Sequence, residues 1–428
     1  MLKLLFLAVL LAGLCGHAVH AEDHTEVKRL WTLYTPASDL AWNDSGTVII
    51  TAARGTIRVW DGETLQQRYL VRHSQDLNGI AFHPDGERFL TWSNAEIRVW
   101  ETTTGRLLGQ LQAPSNSRFK GMVWHDSGIL NWFGAVIGLW DGSALENTAS
   151  VYIPDDSFLP HHASVSWNQA RTRFLTWNAV GVDVPIVRVW AVSGALDSIT
   201  QIMTLPHEDE RIDGAAWSPD ETRIVSWSQR RVNVWDAETA ALLHVINTDS
   251  YVTDARWSPN SRYLLVEDIR ESAARIWDVY TGAEIRTLPG TDALWDTTGD
   301  RLLVGRQRIR LLDVTTGADL AAFPADFRIG FAVWNPDGIR LLVRSASGLQ
   351  VWIIPPVDQC VIHTRAAVNL RTEPRIDAPR VEVLQPRRLL PVVGQAIDDT
   401  GAVWWQLGDN RWVRSDVVKV SGRCDSQS

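Results

Sequence analysis

The chain is predicted to be all-β, a long array of one repeated four-stranded meander followed by a small all-β module. Three observations predict this. Ala216–Asp236 reads AWSPDETRIVSWSQRRVNVWD: a strand ending in Trp217, a Ser218-Pro219-Asp220 turn, a second strand running to Trp227, then a third. In the third, Val232 and Val234 share one face and Asn233 and Trp235 the other, the alternation of an antiparallel meander. The same unit recurs about every 40 residues, which makes it a repeat. Tryptophan, with 22 copies against 10 Phe and 6 Tyr, needs a recurring structural slot, and the repeat supplies one.

In chain order, residues 1–21 read as a signal peptide. Lys3 is its charged start, Leu4–Leu14 its apolar core, and Val19 and Ala21 its small-residue cleavage positions. The core is too short to read first as a membrane span. The mature protein is therefore expected to be exported, either secreted or associated with the cell envelope, and monomeric. Removing Lys3 moves the net charge from −9 to −10, and no basic stripe remains, so nucleic acid is not expected as a partner. The same cleavage removes Cys15 and leaves Cys360 and Cys424. A single pair in an exported chain favours a disulfide over a metal or catalytic role.

Val27–Leu33 is a strand-like run with no partner nearby. After it, the first-strand aromatic falls at Trp42, Phe82, Trp124, Trp167, Trp217, Trp257, Trp295 and Trp334. Turns follow, cleanest as NDSG at 43–46, HPDG at 83–86, HDSG at 125–128 and NPDG at 335–338, residues suited to tight corners. The third-strand aromatic falls at Trp60, Trp100, Trp140, Trp190, Trp235, Trp277 and Trp352, with Leu312 in the seventh unit. Trp92, Trp132, Trp177 and Trp227 end second strands. Fourth strands are expected at Leu65–Val71, Arg106–Gln112, Glu146–Ile153, Thr200–Leu205, Ala241–Asn247, Ala283–Leu288 and Ala318–Phe323. The eighth unit lacks one, because Pro355-Pro356 stops the chain. Val27–Leu33 would complete that unit and remove two exposed sheet edges.

IRVWD at 57–61, RVWE at 98–101, VRVWA at 187–191 and RIWDV at 275–279 resemble the closing motif of WD40 repeats. The resemblance covers residues 27–354 and implies an eight-bladed β-propeller. The family's Gly-His pair is not clearly present in any unit, and its Asp before the third strand is missing from most, so the hydrogen-bond network they build is expected to be largely absent. Tryptophan packing between blades would take its place.

Beyond Pro355-Pro356 the period changes. Strand-like runs fall at Val381–Leu384, Leu389–Gln395, Val403–Leu407 and Arg411–Val413. VNLR-x-x-P, Trp404-Trp405 and Trp412-Val413 resemble bacterial SH3 domains over residues 361–420, with Arg411 where that family usually has Gly. A barrel this small is marginal alone. A Cys360–Cys424 bridge around it would contribute about 4 kcal/mol.

For chemistry, His161-His162 and His207 with Glu208–Glu210 are read as solvated loops rather than zinc ligands. Asp155-Asp156, Glu208–Glu210 and Asp398-Asp399 are carboxylate runs on loops, without the facing pair that glycosidases use. There is no nucleophile elbow, HExxH, Walker A or dinucleotide fingerprint. No catalytic residue, cofactor or metal is assigned. Arg54, Arg230, Arg306 and Arg344 lie between second and third strands, and Tyr251 and Asp254 precede a first strand. The resemblance puts these loops on one face, making the six the expected contact surface for a protein partner. In the C-terminal module, alternation sends Trp404 and Trp405 to opposite faces, and whichever points outward could stack on a glycan or peptide. Trp412 is expected in the core.

The expected function is a non-catalytic, exported binding scaffold, with the propeller holding a protein partner. The resemblance implies that the SH3-like domain touches peptidoglycan or an envelope peptide. The competing reading is a propeller hydrolase acting on a glycan or phosphoester through channel carboxylates or a metal.

Overall fold

A computed structural model describes residues 28–33, 39–113, 118–119, 121–125, 128–133, 136–141, 147–152, 165–177, 186–193, 198–207, 212–248, 251–268, 273–289, 293–305, 309–323, 332–345, 348–354, 360–364, 366–385, 389–408, 410–422 and 424. The leader 1–21, His161-His162, Asp155-Asp156, Glu208–Glu210 and Arg306 lie outside them. Among the described residues the chain is all-β, and no helix is long and apolar enough to cross a membrane.

Eight four-stranded antiparallel sheets follow one another along residues 28–353. Sheet 1 comprises Asp39–Trp42, Val48–Ala53, Thr56–Asp61 and Gln67–Arg72. Sheet 2 comprises Gly79–Phe82, Arg88–Trp92, Glu96–Glu101 and Leu107–Gln112. Sheets 3 to 7 start at Gly121–His125, Val165–Trp167, Gly214–Trp217, Val252–Trp257 and Ala293–Trp295. Sheet 8 is Ala332–Trp334, Arg340–Ser345 and Gly348–Ile353, and its fourth strand is Lys28–Leu33 from the start of the chain. The lone early strand thus pairs where expected, Leu33 opposite Leu349 and Lys28 opposite Ile353.

Turn chemistry sets the hairpins. The Asn43 Oδ1 accepts from the backbone N–H groups of Thr47 and Val48, each at 2.9 Å. Gly46 closes that corner at φ 65°. A Cβ there would also stand 2.4 Å from Asn335 of sheet 8, so glycine is required by conformation and by space.

The alternation read in Arg231–Asp236 decides how sheets stack. Val232 and Val234 pack with Val252, Trp257 and Leu264 of sheet 6, while Trp235 packs with Leu175, Val187 and Val189 of sheet 4. The arrangement repeats, giving eight apolar clusters that join sheets 1–2, 2–3, 3–4, 4–5, 5–6, 6–7, 7–8 and 8–1. In the last of these, Trp42, Ile49 and Trp60 meet Leu342, Leu349 and Val351. Arg340 reinforces the join, donating to Gly62 O at 2.7 Å with its guanidinium 5.4 Å from the Trp42 ring centre. Fourth strands form the solvent side, as the exposed Leu70, Leu107, Ile202 and Leu242 mark.

The expected loss of the internal hydrogen-bond network needs correction. The third-strand indole N–H groups of Trp60, Trp100, Trp190 and Trp235 donate to second-strand hydroxyls of Thr51, Thr91, Thr176 and Ser226 at 2.8–3.0 Å. Trp140 uses Asn131, and Trp352 uses Gln350. Sheet 5 extends the chain: His207 Nδ1 bonds the Leu205 carbonyl, which leaves its Nε2 to accept from Ser226 at 2.7 Å. His207, read as a loop residue, is 6% exposed against Trp235. In sheets 1 to 7 the pairing of third and fourth strands slips just before the third-strand Trp or Leu312, a recurrent bulge that sharpens twist.

The C-terminal module holds a three-stranded and a five-stranded sheet. Leu389–Gln395, expected as one strand, divides at Val392 into Leu389–Pro391 and Gly394–Ile397, which join different sheets. Cys360–His363 and Lys419–Gly422, not anticipated, pair with each other and bring the module's ends together. Cys360 and Cys424 are disulfide-bonded, with Cα atoms 4.7 Å apart. Their sulfurs sit in a core of Ile362, Leu370, Leu384, Trp405 and Val413.

Candidate functional site

The loop residues are placed as follows. Arg54 and Gly55, at φ 46° and 72°, form the two-residue turn between Val48–Ala53 and Thr56–Asp61, and the Arg54 side chain is exposed. Arg230 is exposed in the corresponding turn of sheet 5, closed by Ser228 N donating to Arg231 O. Val252 N donates to Gln229 O at 2.9 Å, which brings Tyr251 beside that turn. Arg230 and Tyr251 therefore share one surface.

Asp254 is not on a loop. It lies inside Val252–Trp257, opposite Glu267, and pairs with Arg256 Nε at 2.6 Å. Arg256 also reaches Glu267 at 3.5 Å and the Ala293 carbonyl of sheet 7 at 3.1 Å. Arg344 is in a strand as well, paired with Leu349 within Arg340–Ser345.

A second charged knot was missed. Glu96 accepts from Ser74 and from Gln112 and pairs with Arg98 at 2.8 Å, with the His73 ring 3.4 Å away. Burial holds the His73 pKa below the ordinary imidazole value. His73 and Ser74 follow the fourth strand of sheet 1, while Glu96 and Arg98 stand on the third strand of sheet 2. That distance along the chain hid the cluster.

In the C-terminal module the two ligand candidates separate as alternation requires. Trp405, 6% exposed, packs in the module's core. Trp404, 2% exposed, lines a cleft of about 460 Å³ with Ala366, Ala367, Val368, Asn369, Arg371, Ile376, Arg414 and Val417. This is within the range of small-ligand pockets. Its indole N–H donates to Asp398 Oδ2 at 2.8 Å, which locks the ring. Hydrogen bonds from Thr400, then Trp404, pull the Asp398 pKa down to about 2. Trp412 is half-buried and stands outside the core that was expected to hold it.

The cleft combines apolar walls with fixed cations. Arg371 Nη1 donates to the Ala378 carbonyl at 2.8 Å. Arg414 makes a two-pronged pair with Asp416, with Nε to Oδ1 at 2.7 Å. Ile376 and Val417 are exposed at the rim. Among the described residues no grouping of three or more His, Cys, Asp or Glu could hold a metal ion.

Comparison with known proteins now bears on this geometry. Residues 28–61 and 64–101 match the WD domain, G-beta repeat. Two proteins of Arabidopsis thaliana are similar. "Cell division cycle 20.1, cofactor of APC complex" is 25% identical over 240 residues, covering 53% of this chain and 50% of that protein. "Cell division cycle 20.6, cofactor of APC complex" is 23% identical over 263 residues, covering 58% and 59%. The chain thus spans between half and three-fifths of the length of these curated relatives. Among solved structures, the C-terminal WD40 domain of Sif2 superposes with a TM-score of 0.61 at 14% identity, over 78% of this chain and 99% of that one. The chain carries WD40 repeats, and its architecture is an all-β, WD40-propeller-like fold.

Proposed function

We propose that the chain is an exported, non-catalytic binding scaffold: a closed eight-bladed propeller whose loop face holds a protein partner, carrying an SH3-like domain at residues 361–420 that contacts the envelope. The observation that carries this reading is the circuit of eight apolar clusters, the last returning from sheet 8 to sheet 1. A ring so joined is a rigid frame, and rigid frames present loops without an ordering cost at binding. Arg54, Arg230 and Tyr251 stand on those loops. The similar Arabidopsis proteins are described as cofactors of a complex, a role exercised by binding other proteins.

For the module at 361–420, the cleft over Trp404 supports recognition of an envelope peptide or peptidoglycan, with Ile376 and Val417 as apolar contacts and Arg371 and Arg414 as cations. The export signal at 1–21 would deliver both parts to the same compartment.

Two experiments test the reading. Crosslinked capture from the native envelope should recover one partner with the wild-type chain and lose it with the Arg54→Ala/Arg230→Ala variant; equal recovery by both removes the loop face. The full mature chain should sediment with purified peptidoglycan, and Ile376→Asp/Val417→Asp should release it. No sedimentation of wild type removes the envelope contact while leaving the propeller reading intact.

A further inference from the structure

The outward face of the five-stranded sheet in the C-terminal module is cationic. Alternation in Val368–Arg371 sends Val368 and Leu370 into the core and leaves Asn369 and Arg371 on the other face. Arg371 stands opposite Trp412 in the register, and Trp404 opposite Arg414, so arginine and indole meet twice on that face. Trp412 lies outside the core because Val413 takes the inward place. On its other side Arg371 stands opposite Arg380 of the edge strand Arg380–Leu384, a like-charge juxtaposition that an anion would relieve.

The neighbouring carboxylates already have partners. Asp416 takes Arg414, Asp398 takes Thr400 and the Trp404 N–H, and Glu373 and Asp377 take Arg375. None of them lines the cleft over Trp404, whose described walls hold two arginines, one asparagine and no acid. Arg371 is anchored through Nη1 on the Ala378 carbonyl, and among the described residues no carboxylate pairs with it or with Arg380. Charge is also divided along the chain. Ten Lys and Arg stand against seven Asp and Glu in residues 360–424, a net charge of +3, which leaves −12 on the rest of a chain at −9. At the rim, Ile376 and Val417 are 62% and 46% exposed, apolar surface that a purely charged ligand would not cover.

We propose that this cleft binds the free carboxylate end of a short peptide whose last residue is apolar. The inference deepens, and rests on, the reading of the module as the envelope contact. The terminal carboxylate would take the unused donors of the Arg371 fork, whose planar geometry suits it. The last side chain would lie against Ile376 and Val417. A cleft of about 460 Å³ has room for a few residues, as a peptide end requires.

The test is fluorescence anisotropy of the full chain with a four-residue peptide, labelled with fluorescein at its amino end and ending in leucine. Three forms are compared: the free acid, the carboxyl-terminal amide, and a free acid ending in glutamate. The leucine acid should bind, and the amide should bind roughly ten-fold more weakly, a comparison that needs no variant. Arg371→Gln should cost a similar factor and Arg371→Lys less, since lysine keeps the charge without the fork. Arg375→Gln, outside the cleft, should bind as wild type does. Equal affinity for acid and amide, or a loss in Arg375→Gln equal to that in Arg371→Gln, overturns the proposal. Glutamate-ended peptide binding as well as the leucine acid overturns the apolar end. Purified peptidoglycan should displace the peptide if the wall supplies this end and leave it bound if a protein tail does. If the wild-type chain sediments with peptidoglycan but binds no leucine acid, this inference alone is refuted and the envelope contact stands.

Discussion

Ser226→Ala is the sharpest probe of what holds one sheet to its Trp. The Ser226 hydroxyl receives the Trp235 N–H at 2.8 Å and gives its own proton to His207 Nε2 at 2.7 Å. All three residues are buried. Alanine fits the space but takes away both interactions at once. Each stranded buried polar group costs about 1–3 kcal/mol, so the pair should cost about 2–6 kcal/mol. Thr51→Val in sheet 1 is the internal comparison, since it takes the acceptor only from Trp60 and should cost about 1–3 kcal/mol. Urea unfolding followed by tryptophan fluorescence reads both values. Equal losses, or a Ser226→Ala loss below about 0.5 kcal/mol, would refute the claim that the His207–Ser226–Trp235 chain acts as a unit.

Three further outcomes follow from other parts of the molecule. Cys360→Ser/Cys424→Ser should lower the stability of the C-terminal module by about 4 kcal/mol, the loop-closure entropy of the bridge, with the propeller's own transition unmoved; this is read by urea unfolding with a module-specific probe. Deleting residues 22–33 removes the fourth strand of sheet 8 and exposes the edge of Gly348–Ile353, so light scattering should show association that the intact chain lacks. The Asp398 pKa is depressed in the folded state to about 2 from 3.8, so its stabilisation is complete above pH 3.8 and is lost as pH falls toward 2. Melting of the module should weaken across that window in wild type, and the part due to this group should vanish in Asp398→Asn.

Much of this architecture was written in local pattern. Period-two alternation in Arg231–Asp236 correctly assigned Val232 and Val234 to one neighbour and Trp235 to another, because a strand can only present its residues to two faces. The turn residues of NDSG and NPDG located the hairpins, because left-handed corners select few residue types. Two cysteines in a chain expected to be exported were enough to anticipate their bridge.

Other features depended on residues far apart in sequence. His207 looked like part of an acidic loop until Ser226, on another strand, gave it a buried partner. Asp254 looked like a loop residue because its place opposite Glu267 exists only once Val252–Trp257 pairs with Tyr263–Asp268. Trp404 and Trp405 were separable by alternation, yet which one met the core was decided by Leu370, Leu384 and Val413 arriving from other strands. The sequence by itself determined the strands, the repeat and the completion of the eighth sheet, since these follow from short-range sterics and hydrophobic period. Only the tertiary structure decided which indoles are tied and which stay free. Apart from Trp352, whose acceptor Gln350 is on its own strand, each tied third-strand indole N–H finds its acceptor on the neighbouring second strand, a pairing that no local pattern records.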